Sequence, residues 1–141
     1  MSKTLDRMKL VRAILENGWA SGTYVRDKDG NPLLGDTLDP AGRYYCVSGA
    51  CAKAANFNIN RFAPRTDFIA NNTVLPNSEE YYELVSLLAN ELLVERKWQI
   101  MPNPIENLQA WNDWYERSQE DVLGLVDTVI RKMEENEAKS V

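Results

Sequence analysis

Residues 77–96 read NSEEYYELVSLLANELLVER, and the spacing within this stretch decides the fold class. Tyr81, Leu84, Val85, Leu88 and Leu92 recur at three- and four-residue intervals, which places them on one stripe of an α-helix. Glu79, Glu80, Glu83, Glu91 and Glu95 fall on the opposite, solvated face. Asn77 followed by Glu80 has the capping-box pattern, so the stretch is predicted to be one helix ending near Arg96.

Downstream, Asn103-Pro104 with Glu106 repeats the start chemistry and predicts a short helix through Leu108 and Trp111 toward Tyr115. Ser118 with Asp121 then opens a helix carrying Val122, Leu125, Val126, Val129, Ile130 and Met133. Residues 134–141 read as a charged, fraying tail beyond a domain spanning 1–133.

Upstream, residues 56–77 hold six Asn and two Pro with Phe57, Phe62 and Phe68 interspersed, and helical periodicity fails there. Arg61, Arg65 and these rings would line a surface or pin a long connection to the core. Asp39-Pro40 predicts a helix from Ala41 to Ala55, and the small residues Gly49, Ala50, Ala52, Ala54 and Ala55 would let neighbouring backbone approach it closely. Thr23 to Arg26 and Asn31 to Leu34, joined at Asp29-Gly30, predict a small β-hairpin. Thr4 ahead of Leu5, Met8, Val11, Ile14 and Leu15 predicts a first helix over 5–17. The expected fold is therefore mainly α, with about five helices and one small β-hairpin in a single compact domain. A length of 141 residues suits one core.

Net charge is −5, divided unevenly: residues 1–77 carry 10 Lys/Arg against 7 Asp/Glu (+3), and residues 78–141 carry 6 against 14 (−8). Such polarity either lets the halves of a domain complement each other or marks an acidic docking face. Charges interrupt the first fifteen residues and no long uncharged apolar run occurs, so neither an export signal nor a membrane anchor is predicted. Cys46 and Cys51 would diverge on a helix too far to be bridged, and reduced, buried thiols agree with a cytoplasmic protein.

Histidine is absent, which removes Ser-His-Asp and Cys-His nucleophiles, His-containing zinc sites and the commonest general base. No glycine-rich loop matches a phosphate-cradling pattern. Asp27-Lys28-Asp29-Gly30-Asn31 is similar to the start of a calcium loop. Its glycine falls fourth rather than sixth and Leu38 stands where the twelfth-position Glu belongs, so it reads as a turn. Asn71-Asn72-Thr73 fits a glycosylation sequon that a protein without export would never use.

The densest group of unusual residues is Trp111-Asn112-Asp113-Trp114 followed by Arg117-Ser118. One reading puts Trp111 in the core while Asn112, Asp113 and Arg117 serve the opening of the last helix. The other makes the group a ligand cleft, since a helix N-terminus beside aromatics favours anions.

Three clusters, Gly18-Trp19-x-x-Gly22 with Arg26-Asp27-x-x-Gly30-x-Pro32, Cys46-x-x-Gly49-Ala50, and Trp111-Asn112-Asp113 with Arg117-Ser118 and Val122, occur in this order. In this the sequence resembles a family of unknown function found in actinobacterial and other bacterial genomes and in phages. It differs by a longer segment from Asn56 to Pro102. The family brings no activity or cofactor. The resemblance implies that Trp19, Arg26, Trp111, Asn112, Asp113 and Arg117 form one assembled site or one structural knot, and it points toward phage accessory proteins that engage host factors.

Aromatic and Arg residues without acid–base partners lead to the expectation of a non-catalytic binding protein. It would be a small accessory or inhibitory protein that engages a host protein or sequesters a small anionic ligand, with no cofactor and no membrane partner. Two alternatives stand beside it. One is a metal-dependent enzyme using Asp27 and Asp113; the other is an acidic nucleic-acid mimic built on the second half. Direct nucleic-acid binding is disfavoured at a pI of about 4.8. Oligomeric state is left open.

Overall fold

The computed structural model describes residues 2–34, 36–59 and 77–139. Arg61, Phe62, Arg65 and Phe68 of the Asn-rich segment lie outside the described residues. Among the described residues the fold is five α-helices and one two-stranded antiparallel sheet: α1 (Lys3–Asn17), β1 (Val25–Arg26), β2 (Tyr44–Tyr45), α2 (Val47–Ala54), α3 (Ser78–Asn90), α4 (Pro104–Asn112) and α5 (Gln119–Lys139). The mainly helical, one-hairpin fold expected from the sequence is the one observed.

The helices form where the apolar stripes predict, because each buries its stripe in one shared core. Leu5, Met8, Val11 and Leu15 of α1 face Val122, Leu125, Val126 and Val129 of α5, and the stripe of α3 closes the same core. Across the seams run Lys9 to Glu134 (3.4 Å) and Arg12 to Asp127 (2.9 Å), joining the basic first helix to the acidic last one. These pairs are largely exposed and contribute at most about 1 kcal/mol each, so packing carries the stability and charge sets the register. Glu91, expected on the solvated face of α3, is instead buried and salt-bridged to Lys132 of α5 at 2.8 Å. The turn that holds it, Glu91–Glu95, is π-helical. This wider turn rotates Glu91 inward to meet a cation.

Several boundaries differ from the sequence reading for local reasons. Ser2, not Thr4, caps α1, its Oγ accepting the Leu5 N–H at 3.0 Å. The Asn77–Glu80 box does not form: Asn77 sits in the left-handed region (φ 65°), and its side-chain amide donates to the Asn56 carbonyl, tying the start of α3 to the residues just after α2. Asp39-Pro40 opens a turn rather than a helix, with the Ala41 and Gly42 N–H groups both donating to Asp39. The helix begins only at Val47, because Tyr44 and Tyr45 pair with Arg26 and Val25 in the sheet. Asn103 and the Ser118–Asp121 pair cap α4 and α5 as expected. Helix α5 continues past Met133 to Lys139, and the Ser2 N–H donates to Glu137 near its end.

The Asp29-Gly30 turn is present, with Gly30 at φ +86° and its N–H donating to the Asp27 carbonyl. The predicted arms meet in a single antiparallel bridge between Arg26 and Pro32, and β1 pairs along its other edge with β2. Carbonyls alternate along an extended strand. Those of Tyr24 and Arg26 accept from Cys46 and Arg43, while that of Val25 accepts from Leu33 on the other side. Tyr45 bonds in turn to Gly18 and Ala20. Four short passes thus lie side by side in the order 31–33, 24–26, 43–46 and 18–20. They bring the Gly18–Gly22 loop over the end of α4. Helix α2 crosses beneath, its residues Val47 to Ala52 all buried. Among the described residues, no helix is long and apolar enough to cross a membrane.

Candidate functional site

The six residues singled out from the sequence fall into two neighbouring groups at the C-terminal end of α4. In the first, Asn112 is fully buried and makes four hydrogen bonds. Its Oδ1 accepts from Trp19 Nε1 and from the Val47 N–H, each at 2.9 Å. Its Nδ2 donates to the Ala20 carbonyl at 3.1 Å and to Asp113 Oδ1 at 2.9 Å. An amide has two donors and a two-lone-pair acceptor, so its capacity is filled. One side chain therefore joins the Gly18–Gly22 loop, the first N–H of α2 and the end of α4.

Asp113 is exposed but committed. Its Oδ1 also accepts the Gly22 N–H at 2.9 Å, and Oδ2 accepts from Gln109 Nε2 at 3.0 Å. From the other side Arg26 donates to the Ser21 carbonyl at 3.2 Å and to the Gly30 carbonyl at 3.0 Å. Gly22 has φ +82°, a conformation that disfavours a side chain, so the loop between the two grips is shaped for a residue without Cβ. Beside it a cavity of about 210 Å³ is lined by Gly22, Thr23, Tyr24, Gln109 and Asp113.

The second group is an aromatic ledge. Arg117 Nε donates to the Trp111 carbonyl at 2.8 Å, and its guanidinium lies 4.2 Å from the Trp111 ring centre and 6.0 Å from that of Trp98. Trp98 meets Trp114 edge-on at 5.8 Å, and Trp114 meets Tyr115 at 5.9 Å. Trp111 is buried, while Trp114 is 38% exposed and Tyr115 is 83% exposed. Desolvation between the indoles lowers the Arg117 pKa from its ordinary value, with Asp121 acting against it and Arg96 alongside it. Among the described residues no carboxylate lies within ion-pair distance of Arg117 or Arg96.

Trp98, Tyr115 and Arg96 were missed as site residues, and Trp114 entered only as part of the dense group from Trp111 to Ser118. Trp98 reaches the ledge because the chain leaves the π-helical turn through Lys97 in the left-handed region (φ 54°), the Trp98 N–H donating back to the Leu92 carbonyl. Buried Asn107 then holds the loop, donating to the Trp98 carbonyl at 3.0 Å and accepting from the N–H groups of Ile100 and Met101. The only sequence signal was a set of aromatics near Arg96 and Arg117, some twenty residues apart, which no local pattern joins.

Among the described residues no three His, Cys, Asp or Glu side chains gather as metal ligands. Asp27 caps its own turn: its carboxylate accepts from the N–H groups of Asn31 and Asp29 and from the Asn31 side chain. The Asn31 N–H is the largest cause holding its pKa below the ordinary carboxylate value. A depressed pKa means that the unfolded chain binds the proton first on acidification. The stability it contributes is therefore present above the ordinary carboxylate value and is lost as pH falls through the lower folded one. In Asp27→Asn, which keeps one acceptor oxygen, the fall of Tm with acidification is expected to be shallower than in the parent. Parallel slopes in calorimetric scans would contradict this.

Both thiols are free and fully buried. Cys46 serves as the cap of α2, its Sγ accepting the Gly49 N–H at 3.2 Å, and burial pushes its pKa up to about 12. Burial raises Cys51 likewise. Since the thiolate is the reactive form, neither thiol is expected to react with an aromatic disulfide reagent at pH 8 until the protein unfolds, when both do. A fast-reacting native thiol would show that α2 opens locally.

No curated protein and no solved structure matches the chain. A family model matches residues 2–132, nearly the whole sequence, and with it the chain belongs to a family of unknown function, DUF6197.

Proposed function

We propose that this protein is a non-catalytic binding protein, a small accessory or inhibitory protein of the bacterial cytoplasm, a host's where it is phage-encoded, which engages its partner through the Arg117 ledge. The observation that carries this reading is Arg117 itself. Its Nε is bound to the Trp111 carbonyl and its guanidinium lies over the Trp111 ring with Trp98 further off, while its Nη edge has no protein partner among the described residues. A guanidinium fixed in this way presents parallel N–H donors to a carboxylate or phosphate and loses little freedom on binding.

The chemistry of the neighbouring acids supports binding over catalysis. Asp27 and Asp113, the pair a metal-dependent reaction would need, spend their oxygens on backbone and amide N–H groups. The acids of the second half are distributed over several elements, and Asp127 and Glu134 are paired with Arg12 and Lys9 of the first half, while Glu91 meets Lys132 within the second. That pairing favours complementarity between the halves of the domain over imitation of a nucleic acid.

Capture from bacterial lysate on the immobilised chain, with isothermal titration against nucleotides in parallel, tests the reading. Binding that is lost in Arg117→Ala supports it. Capture and titration that are both empty, or binding indifferent to Arg117, overturn it.

A further inference from the structure

We propose that the ledge receives an acidic segment of a partner protein, one that sets Asp or Glu beside an aromatic or leucine side chain. This rests on the binding reading above and names the chemistry of its partner. The surface combines two kinds of group. Trp98, Trp114 and Tyr115 form a connected run of rings. In the segment that carries Trp98, Val94 and Ile100 leave about half their surface to solvent. Arg96, Lys97 and Arg117 supply three cations, none with a carboxylate partner among the described residues, although the Lys97 ammonium donates to the Val94 carbonyl at 3.4 Å. Glu116 and Asp121 act on Arg117 only at longer range, and Asp121 is bound to the Ser118 N–H. The neighbouring Glu95 is drawn toward Lys132 at 3.9 Å.

Unpaired cations among exposed rings on a chain of net charge −5 form a local inversion of sign. A complementary occupant is anionic at one or two points and apolar between them. Shape argues for a protein over a small molecule, because small ligands are held in concave sites. The groove of about 440 Å³ on α3 and the 210 Å³ cavity at Asp113 include no ring or cation of the ledge. Trp, Tyr and Arg are also the residues that concentrate binding energy at protein interfaces. Charge argues for a protein over a nucleic acid, since a phosphate backbone would meet the repulsion of the whole acidic molecule beyond three cations. The ledge is held in advance by Asn107, which fixes the loop bearing Trp98, and by the Trp111 carbonyl, which fixes Arg117.

Selection of short random peptides displayed against the full chain tests this. The enriched peptides are expected to carry Asp or Glu next to Trp, Phe or Leu. A synthetic copy should shift the indole N–H resonances of Trp98 and Trp114 and leave that of Trp19, bonded inside the protein, in place. Replacing the acids of the peptide by amides, or Arg117 by Ala, is expected to weaken binding about tenfold or more. Because Arg117→Ala also removes the contact over buried Trp111, Tyr115→Ala serves as the second variant, its ring meeting Trp114 alone among the described rings. It should weaken binding while leaving Tm unchanged. Enriched peptides without acids, indifference to both variants, or tighter binding of a single-stranded oligonucleotide than of the acidic peptide would each overturn the proposal. If no peptide is enriched while Arg117-dependent capture from lysate persists, the partner chemistry is wrong and the binding reading stands. If capture fails too, both fall.

Discussion

Asn112→Ala is expected to remove about 3–5 kcal/mol of stability, on the basis that each buried polar group left without a partner costs about 1–3 kcal/mol. Three groups are stranded at once: the Val47 N–H, the Ala20 carbonyl and the Trp19 indole N–H. The Val47 N–H is the most costly, because it is a first-turn donor of α2 with no intrahelical acceptor and it lies where water does not reach. Trp19 is only half-buried, so solvent offsets part of its loss. Domains of this size are stable by about 5–15 kcal/mol, so the variant should still fold, with a lower urea midpoint and an unchanged m-value. Asn112→Asp separates the two halves of the bond set. It keeps the acceptor for Trp19 and Val47 but turns a carboxylate toward the Ala20 carbonyl and toward Asp113. It should therefore be at least as unstable as the alanine variant at neutral pH. Protonation restores a donor, so the folded-state pKa of the introduced carboxyl is raised and its penalty shrinks as pH falls. A loss under about 1 kcal/mol in the alanine variant would mean that water replaces the amide and that the knot is ornamental.

Much of this architecture was legible in the sequence wherever the determining forces are local. The stripes of α1, α3 and α5 follow from spacing within single segments, and Asn103-Pro104 and Ser118–Asp121 are caps whose partners lie two or three residues away. The errors fall where a distant partner overrides a local preference. Asp39-Pro40 carries a helix-start signal. The residues after it join Val25 and Arg26 instead, because those strand groups otherwise have no partner for the Tyr24 and Arg26 carbonyls. Asn77 has a capping partner in sequence, yet its amide bonds 21 residues upstream. Glu91 reads as a solvated acid until Lys132, 41 residues later, is brought against it.

The candidate site shows the same division. The motif residues Trp19, Arg26, Asn112 and Asp113 do meet at the Gly18–Gly22 loop, as their unusual side chains suggested. Their bonds run to one another and to backbone, which makes them a structural support beside the proposed ledge more than a contact surface. Among the described residues, Arg117 is the one of the six whose Nη donors have no partner, and it lies beside the exposed Trp114 and Tyr115. Its companions Trp98, Trp114 and Tyr115 come together through the π-helical turn and the left-handed Lys97, and neither is written in side-chain periodicity.

Gly49→Ala should destabilise the protein by about 2 kcal/mol or more, against the helix preference of alanine, which alone would favour it by about 1 kcal/mol. The steric effect decides the sign. A Cβ at Gly49 would overlap the Tyr24 carbonyl oxygen and lie within 3.0 Å of its carbonyl carbon. These are backbone atoms that cannot rotate aside, and the same oxygen already accepts the Cys46 N–H at 3.2 Å. Relieving the overlap means lifting β1 from α2, loosening the Tyr24–Cys46 bond and opening the cavity beside Asp113 that Tyr24 lines. Inserted methyl groups in packed interiors cost about 1–3 kcal/mol where side chains can adjust, and backbone overlap belongs at the upper end. Gly124→Ala in α5 is the matched control. Nothing lies within 4 Å of its added Cβ, so the helix preference acts alone and a gain of about 0.5–1 kcal/mol is expected. The same chemical change should thus move the urea midpoint in opposite directions at the two positions. If both variants are stabilised, the contact between β1 and α2 is soft, and the Gly18–Gly22 loop owes its position to Asn112 and Asp113 rather than to the close approach of β1 to α2.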